Sequence, residues 1–285
     1  MSSIGRLKAL ALAAVAALAL ASADAGTLDH VRQDKALRIA FREDAPPFSF
    51  TDDSGLPAGF MIDLCGSVAK HIGEQLNISD LKVAYVLVTA ANRFDAIENG
   101  KADLLCEPTS QTLSRREHVD FSIPTFVDGA SLLVGGDAPS DFRALSGKKI
   151  GVLAGTTTEQ SLRDTLARAN IAAEVAPAKT HQDGLAMLDK GEIVAYFADR
   201  AILSYLASKS SDPSKLRLAG NYFSLEPYAL ALPHGDEDFR LAVDRALSHI
   251  YRSGEIAILF AHTFGNQVQP SDVLKTLYSV SALPD

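Results

Sequence analysis

Beyond residue 25 the chain has no apolar run long enough to cross about 30 Å of hydrocarbon, which takes roughly 20 residues. The body of the protein is therefore read as water-soluble. It also has no G-x-S-x-G nucleophile elbow, no Cys–His pairing and no His/Cys spacing of a zinc site. Serine and cysteine hydrolases and zinc enzymes would lack their reacting groups here. Gly155-Thr156-Thr157-Thr158 has no lysine of the phosphate-binding loop type, which disfavours a nucleotide. Repeats, low-complexity tracts and Pro/Gly-rich linkers are missing as well. Positive charge is in deficit: the net charge of -8 argues against nucleic acid or an anionic lipid surface as main partner. Nothing in the sequence implies a metal or another cofactor.

The N-terminus carries the one long apolar stretch. Arg6 and Lys8 precede Ala9 to Ala21, and Ala21-Ser22-Ala23 supplies small residues at a cleavage point. A basic start, a short apolar run and an A-x-A end make residues 1–23 a secretory signal peptide, with Ala25 as a second cleavage position. About 260 residues remain, enough for one large or two medium domains with buried cores. Only two cysteines occur, Cys65 and Cys106. In an oxidising compartment such a pair ends as a disulfide, contributing ~2–4 kcal/mol; the alternative is two buried free thiols.

Strands are expected at 37–41, 83–88 and 102–106, with a helical pattern through Ile62, Leu64, Val68, Ala69 and Ile72 and a short helix at 92–99 stopped by Gly100. The order β-α-β-α-β implies a parallel sheet wrapped by helices, an α/β fold. A second unit of this type begins near Leu132, with strands at 149–153 and 193–197 and helices through Leu162 and Leu166, at 184–190 and at 202–208. A strand at 228–232 returns the chain, followed by a helix at 238–252, another reaching Phe264, and a polar tail containing Pro270. Two α/β lobes with short connections result. Ligands of open parallel sheets sit outside the carboxyl ends of the strands, which here selects positions near 42, 90, 107, 154 and 199.

Several residues at those ends can hold charge. Arg42, Arg93 and Arg115 each follow a strand, and a guanidinium matches a carboxylate with two parallel bonds; the plain alternative is three separate surface arginines. Asp199 offers a carboxylate for an ammonium, or else a helix cap. The stretch Gly155 to Thr158 sits at a helix start, suited to an anion or to ordinary Thr capping. His181 precedes a helix in a polar stretch, where most histidines are solvated.

Taken together these segments resemble the amino-acid-binding proteins of ABC importers, the bacterial family-3 extracellular solute-binding proteins. The resemblance is strongest from Asp103-Leu104-Leu105-Cys106 through Thr112-Leu113-Ser114-Arg115 to Val119-Asp120-Phe121-Ser122-Ile123-Pro124. Arg42 to Phe50, Asn92-Arg93, Ala154 to Thr157 and Ala198-Asp199 follow in the family's order and spacing. The resemblance implies a periplasmic-binding-protein-like (type II) fold: lobe 1 over 28–130 plus 228–285, lobe 2 over 132–226, and a two-crossing hinge. It implies that Arg115, helped by Ser110 and Thr157, grips the α-carboxylate of a free amino acid and that Asp199 accepts the α-ammonium. It also implies that Arg42, Arg93 and His181 surround an acidic side chain, as in the glutamate/aspartate-binding branch. Ala90 and Pro108 stand where that branch has serines, and Glu107 would repel an acidic ligand if it pointed inward. The expected partner is an ABC permease in the inner membrane, the expected location the periplasm, and a monomer suits the hinge. The Cys65–Cys106 link would join the first helix to the third strand. The rivals are a periplasmic dehydratase of cyclic carboxylic acids, with Glu107 as general acid, and a sensor module for a membrane receptor.

Overall fold

The computed structural model describes residues 26–284 apart from 137 and 140. The expected signal peptide lies outside the described residues. No helix among the described residues is long and apolar enough to cross a membrane.

The first sheet grows from β1 (Ala36–Arg42), whose buried residues Leu37, Ile39, Ala40 and Phe41 leave no solvated face. That is the pattern of a strand covered on both sides. A small antiparallel sheet follows, formed by β2 (Asp44–Ala45), β3 (Ser49–Thr51) and β4 (Pro57–Ala58). The helix Phe60–Leu76 packs its Leu64, Val68 and Ile72 inward and ends at Asn77 in the left-handed region. β5 (Lys82–Val88) and β6 (Leu104–Leu105) flank β1 in parallel, Arg42 lying level with Val88. The helix Arg93–Glu98 connects them. β7 (Val119–Phe121) then joins the far edge of the sheet.

β8 (Phe126–Asp128) carries the chain towards a second sheet, which starts at β9 (Ala130–Gly135). There β10 (Lys149–Leu153) lies between β11 (Glu174–Ala178) and β12 (Ala195–Asp199), all parallel, while β9 runs antiparallel to both its neighbours, β12 and the edge strand β13 (Leu216–Leu218). The chain returns through β14 (Glu226–Tyr228), paired antiparallel with β8, and β15 (Ala231–Pro233), which enters the first sheet between β6 and β7. Both sheets are thus mixed rather than purely parallel, because each gains one reversed strand, β15 or β9, from the segments that cross between them.

The single strand expected at 228–232 is two. Tyr228 belongs to the crossing ribbon and Ala231 to the sheet. The ribbon needs close backbone approach: a Cβ on Gly129 would stand 2.1 Å from the Ser224 carbonyl oxygen, so only glycine fits there. Beneath the ribbon Phe48 is fully buried, edge-on to Phe126 at 4.9 Å and Tyr228 at 5.5 Å. Burying such a ring contributes roughly 1.5–3 kcal/mol.

Two helices went unread. Thr27–Asp34 is short and polar, burying little beyond Val31. The expected polar tail after Pro270 folds into Asp272–Ser281, capped by Ser271, whose Oγ accepts from the Leu274 N–H at 3.2 Å. Its i, i+4, i+7 set Leu274, Tyr278 and Ser281 is buried, and the Tyr278 hydroxyl donates to the Thr125 carbonyl at 3.2 Å. The sparse apolar spacing hid an amphipathic helix.

Cys65 and Cys106 form a disulfide closing 41 residues of chain. It ties the Phe60–Leu76 helix to the end of β6, within the first-sheet half. Closing a loop of this length removes about 4 kcal/mol of unfolded-state entropy.

Candidate functional site

The carboxyl ends of both sheets face one another, and there Arg42, Arg93, Ser110, Arg115, Thr157, His181 and Asp199 line one cavity with Pro108, Thr156, Thr158 and Ile202. All seven residues singled out in the sequence therefore meet in one place. The space enclosed is about 20 Å³, room for little more than a water. The two halves are drawn together over it. Ser110 Oγ and Thr157 Oγ1 are 3.1 Å apart across the gap, and the backbone N–H of His181 donates to Asp44 Oδ2 at 3.3 Å. A crevice of about 590 Å³ adjoins it and shares Ser110, Arg115, Thr156 and Thr157. A larger groove of about 1230 Å³ lies between the helices Thr27–Asp34 and Glu237–Ser253. Its buried acid, Asp103, is already bonded by Arg38 and His30, so the smaller cavity carries the chemistry.

The arginines are buried, not separate surface groups. Arg42, at the end of β1, donates through Nε to Asp44 Oδ1 at 2.8 Å and through Nη1 to Glu107 Oε2 at 3.3 Å. Burial opposes its charge, but Glu107 and Asp44 together outweigh burial and hold the guanidinium above its ordinary value. Arg93 sets its Nε 3.3 Å from Glu107 Oε1 and its Nη1 on the Ala90 carbonyl. Burial lowers it to about 10, with Glu107 opposing and Arg115 and Arg42 assisting, so it remains charged at neutral pH. Glu107 is 1% exposed and stands behind these two guanidiniums rather than lining the cavity. Both contacts at 3.3 Å exceed the 2.7–2.9 Å of strong charge-assisted bonds. Arg42 Nη2 lies 2.7 Å from Asp44 Oδ1 and Arg93 Nε 3.3 Å from Glu107 Oε1, ion-pair contacts without hydrogen-bond geometry.

Arg115 opens a short 3-10 turn, Arg115–Glu117, and its Nη1 donates to the Ser110 carbonyl at 2.6 Å. Its guanidinium lies 5.1 Å from the Phe94 ring centroid, and that of Arg93 lies 4.7 Å from the same ring, a cation–π support for both. Burial lowers the Arg115 value, with Glu107, Glu226 and Asp199 opposing.

On the second sheet the capping alternatives resolve residue by residue. Thr156 is the N-cap of the helix Thr157–Ala169, accepting from the Glu159 N–H at 3.1 Å. Thr157 is thereby free to donate to Glu226 Oε2 at 2.6 Å. Asp199 ends β12 and precedes the helix Arg200–Lys209, yet its side chain makes no cap bond. Asp128 does so instead, its Oδ2 accepting from the Ala201 N–H at 2.9 Å. Asp199 Oδ1 is buried with no hydrogen-bond partner among the described residues. Burial first, then the charges of Glu226 and Asp128, push its carboxyl well above the usual carboxylate range. Asp128 itself is raised to about 6, chiefly by burial. The Tyr228 hydroxyl opposes the rise at Asp199, yet a buried carboxylate among other acids is a costly arrangement that a cation would relieve.

His181 is not solvated: it is 3% exposed, and its Nδ1 lies 3.0 Å from the Tyr196 hydroxyl. Gly184 makes this possible, since a Cβ there would stand 2.2 Å from the Tyr196 ring. Burial above all, and then Arg42, lower the imidazole to about 3. It is neutral at physiological pH and adds a hydrogen-bonding nitrogen, not a positive charge.

Four neighbours escaped the sequence reading: Glu226, Asp44, Asp128 and Tyr196. Glu226 accepts from Ser110, Thr157 and Ser224 and so joins both halves to the crossing ribbon. Its signal was an acid directly before Pro227-Tyr228 where the chain returns. Asp44 stands two residues after Arg42, a spacing that places both at one strand end.

Residues 37–266 match the model of bacterial extracellular solute-binding proteins, family 3. The chain is 31% identical over 264 residues to the L-glutamate/L-aspartate-binding protein of Pseudomonas aeruginosa, covering 92% of this chain and 87% of that protein. It is 30% identical over 270 residues to the glutamate/aspartate import solute-binding protein of Escherichia coli, covering 93% and 89%. Among solved structures it resembles the ancestral amino acid-binding protein AncCDT-1, described as a precursor of cyclohexadienyl dehydratase. That match has a TM-score of 0.74 and 26% identity, covering 84% of this chain and 99% of that one. With the family match spanning residues 37–266 and relatives of 30–31% identity over most of both chains, the chain belongs to the bacterial extracellular solute-binding proteins of family 3.

Proposed function

We propose that this protein captures a free amino acid with an acidic side chain outside the cytoplasm and delivers it to an ABC permease. The observation that carries this reading is the presence of Arg115 and Asp199 in one buried cavity: a cation and an acid with one oxygen unfilled, the two charges that a zwitterion needs. In this reading Arg115 holds the α-carboxylate, with Ser110 and Thr157 beside it. Asp199 takes the α-ammonium, while Arg42, Arg93 and the neutral His181 face the side chain. Each charge-assisted bond contributes ~1.5–3 kcal/mol, so a few reach micromolar affinity, about -8 kcal/mol.

The lobes are 28–130 with 228–285, and 132–226, hinged at the two crossings. The ligand enters when they part, and contacts from both lobes then favour closure by differential affinity. A signal peptide over 1–23, a periplasmic location, a monomeric state and the absence of catalysis complete the reading. The disulfide of the first lobe fits an oxidising compartment. A dehydratase would need Glu107 as its acid, and that carboxylate is engaged as the counter-ion of two guanidiniums. Mass spectrometry of ligand released from gently purified protein, followed by calorimetry, tests the proposal. Glutamate or aspartate in the eluate with micromolar binding is expected; silence of both, with a basic amino acid tight, defeats the acidic reading.

A further inference from the structure

The side-chain end of the cavity is already in charge balance. It holds two guanidiniums, Arg42 and Arg93, and two carboxylates, Asp44 and Glu107, all within 3.3 Å of a partner. His181 adds no charge. An acidic side chain placed against the arginines therefore arrives as an extra negative charge, with Glu107 directly behind them. An amide side chain arrives neutral and can still accept from Arg42, whose guanidinium carries five N–H groups and spends only part of them on Asp44 and Glu107. Repulsion of this kind, in a buried site where charges are poorly screened, acts on acids and spares amides.

We infer that Glu107 is the specificity-setting counter-charge of the side-chain end, and that it lets the chain accept amide amino acids such as glutamine and asparagine with affinities close to those for glutamate and aspartate. This inference rests on the amino-acid reading above and widens its ligand class. Glu107 acts through Arg42 and Arg93 and does not touch the ligand, so it is a positioning residue whose effect is on selectivity.

Calorimetric titration of L-glutamate, L-aspartate, L-glutamine and L-asparagine into the wild-type protein and Glu107→Gln tests it. In the wild type, glutamine is expected within about tenfold of glutamate. Glu107→Gln preserves shape and removes the charge; it is expected to tighten both acids at least about tenfold while moving the amides less than about threefold. An acid-to-amide ratio unchanged in the variant overturns the inference and leaves amino-acid binding intact. Failure of all four compounds to bind either protein overturns the amino-acid reading and the inference with it. Should Glu107→Gln melt before titration, Glu107→Ala and the wild-type ratio decide. A wild-type preference for glutamate above glutamine of more than about a hundredfold sinks the idea without any variant.

Discussion

The two ends of the cavity treat charge in opposite ways. Around Arg42 and Arg93 every ion has a counter-ion of the protein's own, and the interlobe bond from His181 N–H to Asp44 draws on the same cluster. Around Asp199 the acids Asp128 and Glu226 add to a negative field, and one carboxylate oxygen has no partner. The first end is built for stability of the empty protein. The second holds an electrostatic cost that a bound ammonium would relieve. Function is thus expected to reside in the imbalance, and selectivity in the balance.

The largest effect should come from breaking the balanced end. Arg42→Met leaves Asp44 and Glu107 buried without their shared cation, and breaking a buried pair in this way costs about 3–5 kcal/mol. Calorimetric unfolding of the ligand-free protein should show a clearly lowered midpoint; a midpoint equal to wild type would mean that the ends do not differ as described. Next, Arg115→Ala should weaken amino-acid binding by about a hundredfold or more, since losing one member of a desolvated charge pair costs 2–5 kcal/mol. Isothermal titration measures it, and a loss under about threefold would remove Arg115 from the clamp.

The smallest but most discriminating effect concerns Asp199. Asp199→Asn should weaken binding about tenfold while leaving the ligand-free melting temperature unchanged or raised, the reverse of Arg42→Met. The pH dependence has the same origin. With its folded value raised, the carboxyl gains a proton as pH falls, which stabilises the empty protein but removes the partner of the ammonium. Affinity should therefore decline as pH falls through the raised range of this carboxyl, and Asp199→Asn should flatten that decline. A wild-type affinity independent of pH would contradict the assignment.

Much of this was legible from residue order. Alternation at 37–41, the helix stop at Gly100 and the strand-end positions of Arg42, Arg93 and Asp199 are local patterns, and local patterns obey spacing rules. The tail helix was not legible, because Leu274, Tyr278 and Ser281 make a stripe only against the surface they cover. Nor was the split of 228–232, since pairing with β8 and entry beside β6 are long-range choices.

For the cavity, the sequence by itself determined which charged groups reach the strand ends, and hence that a zwitterion could be clamped there. Tertiary structure alone decided which of those charges are free to do so. It set Glu107 behind two arginines, made His181 neutral by burial, and gave the helix cap to Asp128 so that one Asp199 oxygen stayed unfilled. Charge and hydrogen-bond state depend on distance and solvent exclusion between residues far apart in the chain. Those quantities exist only once the chain has folded.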